Sequence, residues 1–225
     1  MILSNADIKP SAEADAVDRA LCALAGEECV VLIDDLSPTG AATIVAAART
    51  ITTTRMATLI RLGSGFVEIG VDYGIARRLQ IPIMAGIDLN DTPTVQGEFS
   101  GVGVDATTGV STGISAADRA RTARVIASPN STSADLRRPG HLLPVLISDL
   151  AARQPESLRT GALALAREAT NVPAAVHCEL TSPSRDTEMA TMHEAFQIAR
   201  RNRIPAVTLS SIHVLVGKSW GLNSD

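Results

Sequence analysis

Helical and strand spacings of apolar residues alternate along most of this chain. Val17, Leu21 and Leu24 lie on one face of a predicted helix that ends at Gly26, and the apolar run Cys29–Ile33 has the length of a buried strand. The same patterns predict helices over 52–62, 72–79, 115–124, 156–169, 187–201 and 211–218, strands over 66–71, 174–180 and 204–209, and a twisted strand or hairpin over 97–104. This alternation favours an α/β (α+β) fold over a helical bundle.

Composition excludes several classes of function. The 225 residues suffice for one domain with an ample core, which we assign to 1–225. A net charge of −4 and five aromatic residues leave too few cations and stacking rings for nucleic acid to be a partner. No segment approaches the ~18 apolar residues of a membrane span, so no membrane partner is expected. Three cysteines without a CxxC spacing predict a reduced, cytoplasmic protein.

Four phrases carry more specific information: Gly109-Val-Ser-Thr-Gly-Ile-Ser-Ala-Ala-Asp-Arg119, Arg138-Pro-Gly-His141, Arg61-Leu-Gly-Ser-Gly65 and Cys178-Glu-Leu-Thr181. In order and spacing they resemble the 3,4-dihydroxy-2-butanone 4-phosphate synthase family, whose members convert ribulose 5-phosphate in the riboflavin pathway and release formate. The resemblance covers about residues 13–216. It implies a mixed β-sheet flanked by helices, with a strand at Thr43–Ala48, and a homodimer that has two pockets at the subunit interface.

Two segments depart from that family. Its acidic loop, Asp-Asp-Glu-Asp-Arg-Glu-Asn-Glu-Gly-Asp, supplies a magnesium-binding glutamate, but this chain has Asp34-Asp-Leu-Ser-Pro-Thr-Gly-Ala-Ala-Thr43. Its Arg-Gly-Gly-His-Thr-Glu segment supplies a metal-binding histidine, but the register places Leu158 there, within Pro155-Glu-Ser-Leu-Arg-Thr160. Magnesium needs hard oxygen ligands. We therefore expect neither a metal nor another cofactor at this site.

Three retained residues are the candidates for catalysis: Glu179, Asp118 and His141. The resemblance makes Glu179 a proton-transferring group, and we expect burial in a pocket to favour its neutral carboxyl, a proton donor. Asp118 follows Ser115 at the spacing of a capping box, a structural alternative to a substrate contact. His141 follows Pro139-Gly140 as in the family, although a lone histidine can equally be structural.

Six further residues are predicted to bind substrate: Thr112, Ser115, Asp34, Asp35, Arg61 and Ser64. The resemblance puts a substrate contact at Thr112, and Ser115 opens a helix whose free N–H groups suit an anion or a polarised oxygen. Each of the others has a structural alternative. Asp34 and Asp35 can simply end a strand, while the glycines beside Arg61 and Ser64 can account for a helix stop and a tight turn. His177, His193 and His213 show no partner signal.

Three functions remain open at this point. The first is a metal-independent lyase or isomerase-type enzyme, in specialised metabolism, that carries out an isomerisation, dehydration or rearrangement on a less charged small molecule. The second is a non-catalytic dimeric binding or regulatory subunit. The third is an active ribulose 5-phosphate lyase with substitute metal ligands such as Asp34, Asp35 and Glu156.

Overall fold

The computed structural model describes residues 10–38, 40–84 and 97–219, and its elements follow the predicted alternation. The helices are α1 (Pro10–Ala25), α2 (Thr53–Leu62), α3 (Tyr73–Arg78), α4 (Ala116–Ala127), α5 (Asp149–Arg153), α6 (Leu158–Thr170), α7 (Met192–Asn202) and α8 (Leu209–Ser219). The strands are β1 (Val30–Ile33), β2 (Ala42–Ala47), β3 (Glu68–Asp72), β4 (Glu98–Ser100), β5 (Val104–Ala106), β6 (Leu136–Ile147), β7 (Ala174–Glu179) and β8 (Ala206–Thr208). None of the helices in these ranges is both long and apolar enough to cross a membrane.

The strands form one mixed sheet in the order β4-β6-β3-β7-β2-β1-β8, and β5 pairs with the first part of β6. The β3–β6 and β1–β8 pairs are parallel, and the other pairs are antiparallel. Strand β7 lies at the centre, between β3 and β2. This arrangement confirms the predicted mixed sheet flanked by helices, including the strand expected near Thr43–Ala48.

Helices cover both faces of the sheet, and alternate residues of β7 define the two sides. Val176 and Cys178 pack in a core with residues of α2, α4 and α7, whereas Ala175 packs in a second core with α1, α6 and α8. Side chains alternate between the two faces along a strand, so His177 and Glu179 lie on the same side as α6.

The region after β3 differs from the prediction. Strand β4 lies within the predicted 97–104 segment and β5 begins at its last residue, but each pairs with β6, so the two do not form a hairpin with each other. The 12-residue strand β6 has no counterpart in the sequence prediction. Its first half holds Pro139, Gly140 and His141 and, after buried Leu136, alternates between exposed and partly buried positions, while its second half is mostly buried. That change of pattern obscures a strand in the sequence.

Helix α7 begins later than predicted. Thr191 and Glu194 form a capping box that starts the helix at Met192 instead of 187. Met189 therefore precedes the helix and is 42 % exposed, and Phe196 within it is 44 % exposed. The sequence pattern of the 187–201 helix predicts Met189, Met192 and Phe196 to point inward. This prediction is wrong for Met189 and Phe196, whereas Met192 does pack against the core.

Candidate active site

Charged side chains gather on the α6 side of the sheet near the end of β7. Glu68 on β3 lies opposite His177 of β7 in the antiparallel register, and Glu179 follows two residues later on the same side. Arg159 is the second residue of α6, whose start is fixed because Ser157 Oγ accepts a hydrogen bond from the backbone N–H of Thr160 at 3.1 Å. The first turn of α6 thereby presents a guanidinium to the sheet.

Glu68 and Arg159 form a two-pronged ion pair. Arg159 Nε donates to Glu68 Oε2 at 3.0 Å, and Nη2 donates to Oε1 at 2.9 Å. Glu68 is only 5 % exposed, and a buried carboxylate is costly unless it is paired in this way. Burial acts to lower the pKa of Arg159. The hydrogen bonds and charge of Glu68, together with the charges of Glu98 and Glu179, outweigh burial, and the net effect is a raised pKa. The guanidinium is a permanent positive charge.

Two buried polar atoms beside this pair have no hydrogen bond to the described residues: Thr43 Oγ1 and His177 Nε2. Thr43 lies directly opposite Glu179 in the β2–β7 register. Burial, with a smaller effect from Arg159, lowers the pKa of His177 to about 3, so the imidazole is neutral at physiological pH. Unpaired buried polar atoms are rare, and a bound water or ligand is a common explanation.

Glu179 occupies the position that the sequence predicted, but its surroundings differ from the expectation. The residue is exposed at the end of β7, so the burial expected to favour a neutral carboxyl is absent in the single chain. Its backbone carbonyl accepts a hydrogen bond from Ser64 N–H at 2.8 Å, which fixes the turn after α2 against the strand. Ser64 Oγ also lies 3.5 Å from Cys178 Sγ.

His141 forms a second site with a residue that the sequence analysis missed, Asp105. His141 N–H donates to Asp105 Oδ1 at 3.0 Å, and the ring Nδ1 lies 2.9 Å from Oδ2. Asp105 is 1 % exposed, and Arg137 lies 3.4 Å from the same oxygen. A carboxylate only accepts, so it places the proton of a neutral ring on Nδ1 and leaves the lone pair on Nε2. This arrangement orients the imidazole, and a catalytic role for His141 stays a prediction.

Gly113 lies against this histidine–aspartate pair. A Cβ at Gly113 would come within 2.2 Å of Asp105 Oδ2 and 2.5 Å of His141 Nδ1, and the residue has a φ of +93°. Both constraints require glycine. The 111–115 loop is therefore packed directly on the oriented imidazole, and its exposed Thr112 lies on the adjoining surface.

Asp118 holds that loop in place. Its carboxylate accepts from Ser111 N–H at 3.0 Å, Ser111 Oγ at 2.8 Å and Gly113 N–H at 3.0 Å. These bonds lower the pKa of Asp118 to about 2, so it is ionised at physiological pH. Ser115 caps α4 by accepting from Asp118 N–H, which is one half of the expected capping box. A direct contact of Asp118 with substrate stays a prediction.

The remaining predicted residues have structural contacts. Asp34 Oδ1 accepts from Leu36 N–H at 3.0 Å and Ser37 N–H at 2.9 Å, which folds the loop after β1 into a turn. Asp35 accepts from Ser210 N–H at 3.0 Å and also from its hydroxyl, tying the loop to α8. Arg61 lines a separate cavity of about 310 Å³ that includes none of the other predicted residues. Their roles in binding stay predictions.

Comparison with known proteins agrees with this geometry. Residues 18–214 match the family model of 3,4-dihydroxy-2-butanone 4-phosphate synthase. The enzyme of that name from Chlorobium limicola is 35 % identical over 196 residues, which cover 87 % of this chain and 86 % of that protein. The riboflavin biosynthesis protein RibBA of Mycobacterium avium is 32 % identical over 198 residues, and the match covers 88 % of this chain but only 46 % of RibBA.

Solved structures give the same result. A 3,4-dihydroxy-2-butanone 4-phosphate synthase in complex with two magnesium ions superposes with a TM-score of 0.81 at 28 % identity, covering 92 % of this chain and 99 % of that one. The synthase of Candida albicans superposes with a TM-score of 0.79 at 28 % identity, covering 89 % and 96 %.

Proposed function

The chain belongs to the 3,4-dihydroxy-2-butanone 4-phosphate synthase family, and from this premise we propose that it is a lyase or isomerase-type enzyme that transfers protons on a small molecule without a divalent metal. We place it in specialised metabolism in the cytoplasm. The observation that carries the proposal is the guanidinium of Arg159, held by buried Glu68 beside Glu179.

The metal seen in one solved relative does not fit the residues of this chain. Leu158, at the position where the resemblance puts a metal-binding histidine, has a hydrocarbon side chain. Asp34 and Asp35 accept hydrogen bonds from their own loop and from α8. Throughout the described ranges, no group of three His, Cys, Asp or Glu could hold a metal ion, and this includes the substitute set with exposed Glu156.

Charge at the proposed site points to a weakly charged substrate. Arg159 is surrounded by three carboxylates, those of Glu68, Glu98 and Glu179, whose charges all act on it. Glu68 already neutralises the guanidinium through two hydrogen bonds. The cluster therefore repels a multiply charged phosphate ester more than it attracts one. A neutral hydroxy-carbonyl compound meets no such repulsion.

The chemistry that this arrangement supports is removal of a proton next to a carbonyl group. The Glu179 carboxylate takes the proton, and Arg159 stabilises the negative charge that develops on the carbonyl oxygen. Thr43, whose hydroxyl is buried and unpaired in the described part of the chain, offers a further hydrogen bond on the same side. His141, oriented by Asp105, can take the proton of a substrate hydroxyl on Nε2 and return that same proton to a second carbon or oxygen.

A homodimer is part of the proposal. Several large apolar side chains are exposed in loops next to the charged cluster at Glu179 and the His141–Asp105 pair: Leu36 (53 %), Phe66 (61 %) and Ile114 (51 %). Such exposed apolar groups are typical of a subunit interface. An interface built on them brings the 111–115 loop and His141 of one subunit towards the Glu179 cluster of the other.

The experiment measures solvent exchange. The protein is incubated in D₂O and EDTA with a panel of uncharged hydroxyketones, and deuterium incorporation is followed by NMR. We expect exchange that Glu179→Gln abolishes and that Glu188→Gln, an exposed glutamate paired with Arg185, retains.

Three results would contradict the proposal or the role of Glu179 in it. Magnesium-dependent formate release from ribulose 5-phosphate would restore the activity of the relatives. Binding of the panel compounds without exchange would favour the non-catalytic subunit. Full exchange by Glu179→Gln would remove Glu179 from the mechanism.

A further inference from the structure

A second cavity lies at the opposite end of β7 from the proposed active site. It has a volume of about 600 Å³ and is bordered by Val172 and Pro173, which precede β7. Glu179 ends the same strand, and at about 3.3 Å per residue the two ends are roughly 17 Å apart. The volume is in the usual range of small-molecule sites.

Three arginines line this cavity: Arg49, Arg78 and Arg124. The residues that line it include no carboxylate. Asp72, the acid whose pKa Arg78 influences, lies 3.7 Å from Arg167 in an ion pair of its own. Three guanidiniums without a lining acid leave the cavity strongly positive, the reverse of the acid-rich cluster at Glu179.

Main-chain carbonyls hold these arginines in position. Arg78 donates to the carbonyls of Ser131 and Ile126, the latter at 3.2 Å. Arg124 donates to Ile51 O at 2.6 Å, and Arg49 donates to Thr170 O at 3.5 Å. A guanidinium has five N–H donors, so these contacts leave further donors for a ligand. The cations are ordered before any ligand binds.

We propose that this cavity binds a small molecule that carries a di- or triphosphate group. The three guanidiniums match the several negative oxygens of such a group through charge-assisted hydrogen bonds. Apolar residues complete the lining and provide a surface for the uncharged part of the ligand: Ile75, Ala127, Val172 and Pro173. The site is independent of the proposed reaction at Glu179.

Calorimetric titration tests the proposal with inorganic pyrophosphate as the probe. We expect saturable binding to the wild type, at least about ten-fold weaker binding to Arg49→Gln or Arg124→Gln, and loss in the double variant. Arg121→Gln, an exposed arginine of α4 outside the cavity lining, is the matched control and should bind normally. Circular dichroism melts establish that each variant is folded.

A second arm separates this cavity from the active site. Glu179→Gln should bind pyrophosphate with the wild-type affinity. Reduced binding would contradict the proposed site and indicate that pyrophosphate binds near Glu179 instead. ADP, which adds a nucleoside to the diphosphate, should bind at least as tightly as pyrophosphate, and its exclusion would overturn the ligand class. Absence of binding in the wild type, or undiminished binding in the double variant, would overturn the site itself.

Discussion

Lowering the pH from 7 to 5 should destabilise the protein through His177. This imidazole is buried, and burial lowers its pKa from 6.5 to about 3 in the folded state. Between these pH values the imidazole binds a proton in the unfolded chain but not in the folded chain, so the free energy of unfolding falls as the pH falls. For a pKa of 6.5 unfolded and about 3 folded, the loss between pH 7 and pH 5 is about 2 kcal/mol.

Urea unfolding at the two pH values measures this loss. His177→Gln, which cannot titrate, should show little change in the free energy of unfolding between pH 7 and pH 5. His193→Gln, at an exposed position of α7, should keep the full wild-type loss. The m-value should stay constant, because the same surface is exposed on unfolding. A flat wild-type profile, or a loss that His177→Gln retains, would refute the assignment of the effect to this histidine.

Three other perturbations have defined outcomes. Arg159→Met leaves buried Glu68 unpaired and should lower the free energy of unfolding by about 2 kcal/mol. This is less than for a fully buried pair, because the Arg159 side chain is 41 % exposed. A loss below about 0.5 kcal/mol in urea unfolding would contradict the pairing. Gly113→Ala should lower the free energy of unfolding by at least about 2 kcal/mol, because the new Cβ meets the His141–Asp105 pair. Gly65→Ala, at a residue with a φ of +78° and open space around it, should lower it by only about 1 kcal/mol. Equal losses would contradict the packing of Gly113. Millimolar magnesium or EDTA should shift the melting temperature by less than about 1 °C, because an ion without ligands adds no linkage; a clear upward shift with magnesium would restore a metal site.

Local phrases predicted the part of the site that is contiguous in sequence. The Gly109–Arg119 string and the Arg138–His141 phrase singled out His141 and the loop that the structure packs against it. Asp105 was missed because its contact with His141 spans 36 positions. An aspartate between Val104 and Ala106 in an apolar segment was the available signal, since a buried charge needs a partner.

The Glu68–Arg159 pair could not be predicted from the sequence for a similar reason. Its two residues are 91 positions apart and meet only because β3 pairs with β7 and the first turn of α6 lies over them. Periodicity gives the spacing within one element but not which elements become neighbours. Strand β6 was also missed, although the periodic elements around it were found.

The position of β7 also constrains how the chain is made. Residues 174–179 separate β3 from β2, although both of those strands leave the ribosome about a hundred residues earlier. Until β7 emerges, each keeps one edge unpaired, and exposed strand edges are where nascent chains associate wrongly. The same six residues carry His177 and Glu179. Closing the sheet and completing the charged cluster are therefore one event, and a chain shortened before residue 174 would have neither a finished sheet nor the His177 and Glu179 side chains of the cluster.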